Sequence, residues 1–302
     1  MLKSFLRVIN RLFKYNAVEW NIGVLDFDSI DLLNTRNIHD IKWVKHNYKN
    51  RWFADPFIVS TSTNEIILLV EEFEESKRKG KISKMIIDAK NNKVKSLTTI
   101  LELNTHLSFP AIYRKDNEIY IYPENSQSGE LLLYKYNPDD DSVEIATTLV
   151  NEDRVVDSSL ITINNRNFLF ATCKPKQSED IVSVYESLTW NGKYEKIEEI
   201  RVEPKVARGA GDIFCLNNEW IRPSQDCNGG YGKGIVFSRL SIENNRFKLE
   251  ELNRIYPNKS EFYNEGIHTF NILDKTVVID GYRYKHAIFA KLVNTFRSII
   301  GI

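Results

Sequence analysis

Five stretches of this chain share one layout, and that repeat constrains the fold more than any other feature of the sequence. The copies begin at Ala54, Ser108, Val156, Gly209 and Glu265. Each has a polar or small opening, a run of branched and aromatic residues, a tight polar turn, and a second such run that ends in polar residues. The aligned openings read Asp55, Phe109, Asp157, Ala210 and Gly266, a period close to fifty residues. Short strands repeating at that spacing are the signature of a propeller with one blade per repeat. A blade cannot bury both of its faces without neighbours, so the five repeats form one domain, residues 19–285.

The stretches between the repeats complete the blades. Residues 81–88 with 94–101, 131–136 with 143–148, 182–187 with 194–200, and 234–240 with 247–255 read as paired outer strands. Asn91-Asn92, Asn137-Pro138-Asp139, Asn191-Gly192 and Asn244-Asn245 supply turn chemistry at the hairpin positions. The ring must close, and residues 19–26 are expected to do so by pairing with 277–284, leaving 28–50 as a connecting crossover. The expected fold class is all-β, a five-bladed β-propeller with short amphipathic helices at the N- and C-termini.

Those terminal helices are read from residues 1–18 and 286–302. Leu2, Phe5, Leu6, Ile9, Leu12 and Phe13 follow helical spacing with Lys3, Arg7, Arg11 and Lys14 between them. Ile288, Phe289, Leu292, Val293, Phe296, Ile299 and Ile300 make a second apolar stripe. Both patterns fit a helix lying on an anionic membrane surface, and equally a helix packed on the propeller. Neither reaches the length of a spanning helix, and the N-terminal stretch lacks the apolar core of a cleavable signal peptide. Formal net charge is zero, which gives no electrostatic footprint for nucleic acid. The three cysteines form no CxxC pair and no disulfide framework, so the expected setting is cytoplasmic, peripheral on the inner face of the membrane.

Antiparallel geometry puts the opening of each first strand beside the end of the second. Glu71, Glu124, Thr172, Gln225 and Gly281 form that second column, flanked by Asp226 and Asp280. The candidate catalytic residues are therefore Asp55, Asp157 and Glu124, since carboxylates crowded at one mouth raise one another's pKa. Glu71, Arg208, Arg222, Gln225, Asp226, Tyr231, His268 and Asp280 are the candidate binding residues. Trp52, Phe53, Tyr122 and Tyr231 offer stacking surfaces for sugar rings. No metal and no cofactor is expected, because the histidines lack ligand spacing.

The motifs in order support a family resemblance over residues 19–285. Ala54-Asp55-Pro56-Phe57 with Glu71-Glu72 resembles the first blade of propellers related to glycoside hydrolase family 43. His106-Leu107-Ser108-Phe109-Pro110, Tyr122-Pro123-Glu124, Val156-Asp157-Ser158-Ser159-Leu160, Arg222-Pro223-Ser224-Gln225-Asp226-Cys227, Tyr231-Gly232 and Gly266-Ile267-His268-Thr269-Phe270 continue it. The branch they resemble is the N-terminal domain of glucosamine inositolphosphorylceramide transferases and its bacterial stand-alone relatives. The resemblance implies a base-like Asp55 and a modulator-like Asp157. The acid of that family opens a later blade, where this chain has Arg208-Gly209-Ala210-Gly211 and no carboxylate. Three readings follow. One is glycan assembly, glycosyltransferase-like or acceptor-binding, with a glycan or a sugar-phosphate or lipid-linked saccharide as partner. The others are family-43-type hydrolysis and a non-catalytic glycan-binding module. Glu124 and Glu265 are the carboxylates available to stand in for the missing acid.

Overall fold

The computed structural model of the protein describes residues 18–174, 179–286 and 290. Both expected terminal helices lie, in all but a few residues, outside that range. Among the described residues no helix is long and apolar enough to cross a membrane.

The strands form five sheets, antiparallel but for one short edge strand, the blades of a propeller. Blade 1 runs Arg51–Thr61, Glu65–Glu74, Lys79–Asp88 and Lys93–Leu101. Blade 2 is Ser108–Lys115, Glu118–Glu124, Glu130–Asn137 and Ser142–Asn151, and blade 3 is Arg154–Ile163, Arg166–Lys174, Ile181–Ser187 and Glu195–Arg201. Blade 4 comprises Phe214–Leu216, Glu219–Asp226, Gly234–Glu243 and Arg246–Pro257. Blade 5 joins Phe270–Leu273 and Thr276–Tyr284 to Val18–Asp26 from the other end of the sequence. The pairing Asn21↔Gly281 and Val24↔Val278 closes the ring as the sequence leads one to expect.

The connecting crossover is more structured than its sequence suggests. Asn37–Ile38 adds a parallel fifth strand to blade 4, and Lys42–Trp43 becomes the fourth strand of blade 5. Two-residue strands are too short to show a period of two, so they leave no pattern to read.

The inner faces of adjacent blades pack on each other, as the repeat requires. Phe57 and Leu69 of blade 1, Phe109, Ile121 and Leu133 of blade 2, and Leu169 of blade 3 belong to one buried cluster. Side chains also stitch blades to backbone across the interfaces. Asn271 donates to the Pro56 carbonyl at 2.8 Å, and Ser159 to the Gly211 carbonyl at 2.8 Å. Gly211 has φ +141°, and a Cβ there would sit 2.0 Å from the Phe270 carbonyl oxygen, so no other residue fits between blades 4 and 5.

Candidate functional site

A cavity of about 410 Å³ opens where the blades' first strands begin, and every blade lines it. Asp55 and Glu71 come from blade 1, Ser108 and Glu124 from blade 2, Arg154 and Lys174 from blade 3. Arg208 and Tyr231 belong to the loops of blade 4, and Trp20 and His268 to blade 5.

A repeated backbone device aims the opening residues. Asp55, Phe109 and Asp157 have φ values of +50°, +45° and +44°. Each sits at a register shift of its first hairpin, between Ala54 and Phe57, Ser108 and Pro110, and Val156 and Ser159. A bulge in the left-handed region turns a side chain out of the strand's alternation, at a cost of about 1–3 kcal/mol per residue. Two of the three positions spend that strain on an aspartate.

Asp55 is held from both sides. Its Oδ1 accepts from Thr269 Oγ1 at 2.8 Å and its Oδ2 from the Phe109 backbone N–H at 3.0 Å. Its own N–H donates to Asp280 Oδ2 at 2.9 Å. Asp280 also accepts from the backbone N–H groups of His268 and Thr269, each at 3.0 Å, and lies 2.7 Å from His268 Nδ1. The His268 Nε2 then faces Asp55 Oδ1 at 3.8 Å. Burial opposes a charge on His268, but Asp280 and Asp55 outweigh it and hold the imidazole above its ordinary pKa. Burial likewise opposes Asp280, whose carboxyl is kept low by His268 and by the backbone donors. Burial raises Asp55, with His268 pulling it down and Asp280 pushing it up. The Trp20 ring stacks on His268 at 4.1 Å, and Tyr231 meets it edge-on at 5.3 Å, so the imidazole is fixed on three sides.

A second knot ties blades 2, 3 and 4. Arg208 Nε donates to Asp157 Oδ2, and its Nη2 lies 3.5 Å from Glu124 Oε2. Gln225 Nε2 reaches the same Asp157 oxygen at 2.9 Å. A Cβ on Gly209 would stand 2.3 Å from the Asp157 carbonyl oxygen, so the glycine lets Arg208 approach this closely. Burial drives Asp157 up to about 8, Arg208 opposing and Glu124 adding to the rise. Burial also pushes on Glu124, yet Arg208, a hydrogen bond from Asp157, Lys174 and Ser126 together hold it below the usual range. Of the two coupled carboxyls, Asp157 is thus the one biased toward its protonated form.

Glu71 is different. It is 5% exposed, and its Oε1 makes no hydrogen bond among the described residues. His106 Nε2 lies 3.4 Å from that oxygen without completing one. The Gly80 N–H donates to His106 Nδ1 at 2.9 Å, which leaves the ring proton on Nε2. Burial then keeps the imidazole below its ordinary pKa and so neutral. Burial, with the carboxyls of Asp55, Glu124, Asp280 and Asp157, pushes Glu71 well above the usual carboxylate range. The mouth therefore carries a carboxyl biased toward its protonated form, which the repeat alone did not mark.

A stability measurement checks this state. A carboxyl whose pKa is raised by folding keeps its proton at pH values where the unfolded chain releases it. The group's contribution is complete below the unfolded pKa and declines as pH climbs toward the folded one. The decline is about 1.4 kcal/mol for each pH unit between the two values. Glu71→Gln copies the neutral acid, so its melting temperature is expected to fall less than the wild type's from about pH 5 to about pH 8. Equal slopes would mean that Glu71 is ionised.

The remaining expected site residues are distributed as follows. Asp157, Gln225 and Asp280 lie beneath the cavity floor, each no more than 2% exposed. Arg222 is 2% exposed inside blade 4 and donates to the Ala207 carbonyl at 2.8 Å, away from the cavity. Asp226 turns to the outer strand, where Tyr256 Oη donates at 2.7 Å and Arg254 pairs at 3.4 Å. Trp52 lines the cavity, stacked on Phe73 at 4.4 Å, whereas Phe53 and Tyr122 are buried in the blades. Trp20, His106 and Lys174 also reach the cavity. Lys174 stands two residues beyond Thr172 on the same strand, whose period of two returns it to the same face, while His106 precedes the strand that opens at Ser108. Asp55, His268 and Asp280 offer ligand atoms within 4.8 Å of one another, a set able to hold a metal ion. The hydrogen bonds described above already satisfy it as an imidazolium between carboxylates.

Known proteins place this architecture. The sequence profile described as glucosamine inositolphosphorylceramide transferase 1, N-terminal, matches residues 39–275. The glucosamine inositolphosphorylceramide transferase 1 of Oryza sativa subsp. indica is 26% identical over 200 residues, covering 64% of this chain and 27% of that protein. That of Arabidopsis thaliana is 25% identical over 253 residues, covering 75% of this chain and 33% of that protein. The chain thus spans a third or less of these relatives' length. An exo-β-1,3-galactanase from Phanerochaete chrysosporium, solved with galactose, superposes with a TM-score of 0.54 at 8% identity, covering 70% of this chain and 52% of that one. A thermostable family-43 glycoside hydrolase superposes with a TM-score of 0.53 at 12% identity, covering 82% of this chain and 96% of that one. At these identities the shared property is the fold.

Proposed function

We propose, since this chain belongs to the family of the N-terminal domain of glucosamine inositolphosphorylceramide transferase 1, that its axial mouth is a saccharide-binding site serving glycan or glycolipid assembly. The observation that carries this reading is the Arg208 knot. A hydrolase of family-43 type needs a carboxylic acid opposite its base to protonate the leaving group. Here the fourth-blade opening instead supplies a guanidinium that binds Asp157 and Glu124. Asp55 remains as a hydroxyl acceptor, and Trp52 and Tyr231 provide aromatic faces at the rim. Carboxylates and aromatics around an open cavity suit recognition of a polyol. The names of the plant relatives suggest glucosamine and an inositol-containing glycolipid as the class, with this chain engaging the acceptor.

Saturation-transfer NMR with glucosamine and myo-inositol glycosides, beside an assay of 4-nitrophenyl glycosides, tests the proposal. Binding without hydrolysis is the expected result. Turnover of a nitrophenyl glycoside that Asp55→Asn abolishes would replace it with the hydrolase reading. That second reading has one observation in its favour, the buried Glu71 at the cavity with its Oε1 unbonded among the described residues, a carboxyl whose raised pKa suits an acid. Attachment to the inner face of a membrane through residues 1–18 and 286–302 is proposed on their amphipathic pattern alone. Flotation with anionic liposomes, with and without residues 1–15, decides it.

A further inference from the structure

A second cavity of about 450 Å³ lies against the axial one between blades 3 and 4, and the two share Lys174, Arg208 and Tyr231 as lining. Their chemistry differs. Asp55, Glu71 and Glu124 line the axial cavity, and Asp157 and Asp280 lie just beneath it. The cations of the axial cavity, Arg154, Lys174 and Arg208, stand among those carboxyls. Among the described residues the second cavity carries Lys174, Lys205 and Arg208 against the carboxylate of Glu179, with Thr172, Tyr231 and small or apolar groups on the remaining walls.

Two details bear on the cations. Lys205 has φ +68°, a left-handed backbone that a lysine seldom adopts. Hydrogen bonds from its N–H to the Glu179 carbonyl at 2.9 Å, and to its carbonyl from the Cys227 N–H at 3.0 Å, hold it there. Both partners line the same cavity, and the Lys205 ammonium has no ion-pair partner among the described residues. Arg208 spends Nε and Nη2 on the carboxylates, while its Nη1 makes no hydrogen bond among the described residues. A forked guanidinium with one edge on carboxylates and another donor free suits a phosphate oxygen.

We infer that this second cavity is a phosphate subsite, so that the ligand of the mouth is a phosphorylated saccharide with its ring on the carboxylates and its phosphate among Lys174, Lys205 and Arg208. The inference rests on the saccharide reading of the axial mouth. It predicts a division of labour between neighbouring cavities, which single substitutions separate.

The test is calorimetric titration of the full chain with inorganic phosphate, with glucose 1-phosphate, and with phosphatidylcholine vesicles with and without phosphatidylinositol. Lys205→Gln is expected to weaken inorganic phosphate about tenfold, the loss of one charge-assisted hydrogen bond. Asp55→Asn is expected to weaken glucose 1-phosphate while inorganic phosphate binds no more weakly than to the wild type. Thermal melting of both variants establishes that they are folded. Saturable binding of glucose 1-phosphate, or of phosphatidylinositol vesicles in competition with inorganic phosphate, supports the subsite and tells a soluble sugar phosphate from a lipid headgroup. No phosphate binding by the wild type, or equal binding by Lys205→Gln, overturns it. Phosphate binding that survives while Asp55→Asn has no effect on any saccharide would instead overturn the reading of the axial mouth.

Discussion

Asp55→Asn is expected to weaken saccharide binding by about 10- to 100-fold while leaving the propeller folded. A hydrogen bond to a charged group contributes about 1.5–3 kcal/mol, which sets that range. The fold should survive because the substitution respects what the backbone and neighbours ask of this position. Asparagine tolerates the left-handed conformation that Asp55 adopts at φ +50°. Its carbonyl can accept from the Phe109 N–H, and the Thr269 hydroxyl, now a donor to Asp55, can rotate to accept from the amide. Asparagine cannot provide the negative charge beside His268. The imidazolium loses one of its two facing carboxylates, so the His268 pKa should fall toward its ordinary value. Titration of the wild type and variant by NMR would show that shift, and binding of the same saccharide by both measures the loss. Undiminished affinity in a variant with normal melting would remove Asp55 from the site.

Arg208→Gln is expected to destabilise the chain by about 3 kcal/mol near pH 8, and by clearly less near pH 5. Asp157 and Glu124 are 2% and 5% exposed, and without the guanidinium Lys174, 3.4 Å from Glu124, is the cation left beside them. Breaking a buried pair by removing one partner leaves an uncompensated charge, which costs more than the pair was worth. Protonation relieves that penalty, so both carboxyl pKa values should rise in the variant and its deficit should shrink as pH falls. Urea denaturation at the two pH values measures it. A deficit independent of pH would mean that Arg208 acts through packing on Tyr231, over which its guanidinium sits at 5.3 Å, and not through the carboxyls.

The sequence disclosed the ring because blade strands repeat their chemistry at a constant spacing. It disclosed the mouth because antiparallel pairing places Ala54 opposite Glu71 and Ser108 opposite Glu124. Facing was harder to read. Arg222, Gln225 and Asp226 lie on one strand, Glu219–Asp226, but each residue advances about 3.3 Å and reverses the side-chain direction. Gln225 thus meets Asp157, Asp226 points to Tyr256, and Arg222 sits deep in the blade. The bulges at Asp55, Phe109 and Asp157 carry no common residue type and were silent in the sequence. The raised pKa of Glu71 was silent as well, because it arises from burial in the folded mouth and from carboxyls gathered there from several blades. Fourth-blade Arg208 was the opposite case. Its lack of a carboxylate was visible from the chain alone, while its pairing with Asp157 and Glu124 required the fold.

The most direct measurement is a structure of the full chain with glucosamine 1-phosphate bound. The account predicts sugar hydroxyls within hydrogen-bond distance of Asp55 in the axial cavity, the ring against Trp52 or Tyr231, and the phosphate on the side of Lys205. A sugar seated on the outer faces of the blades, with the axial cavity holding only solvent at saturating ligand, would contradict it.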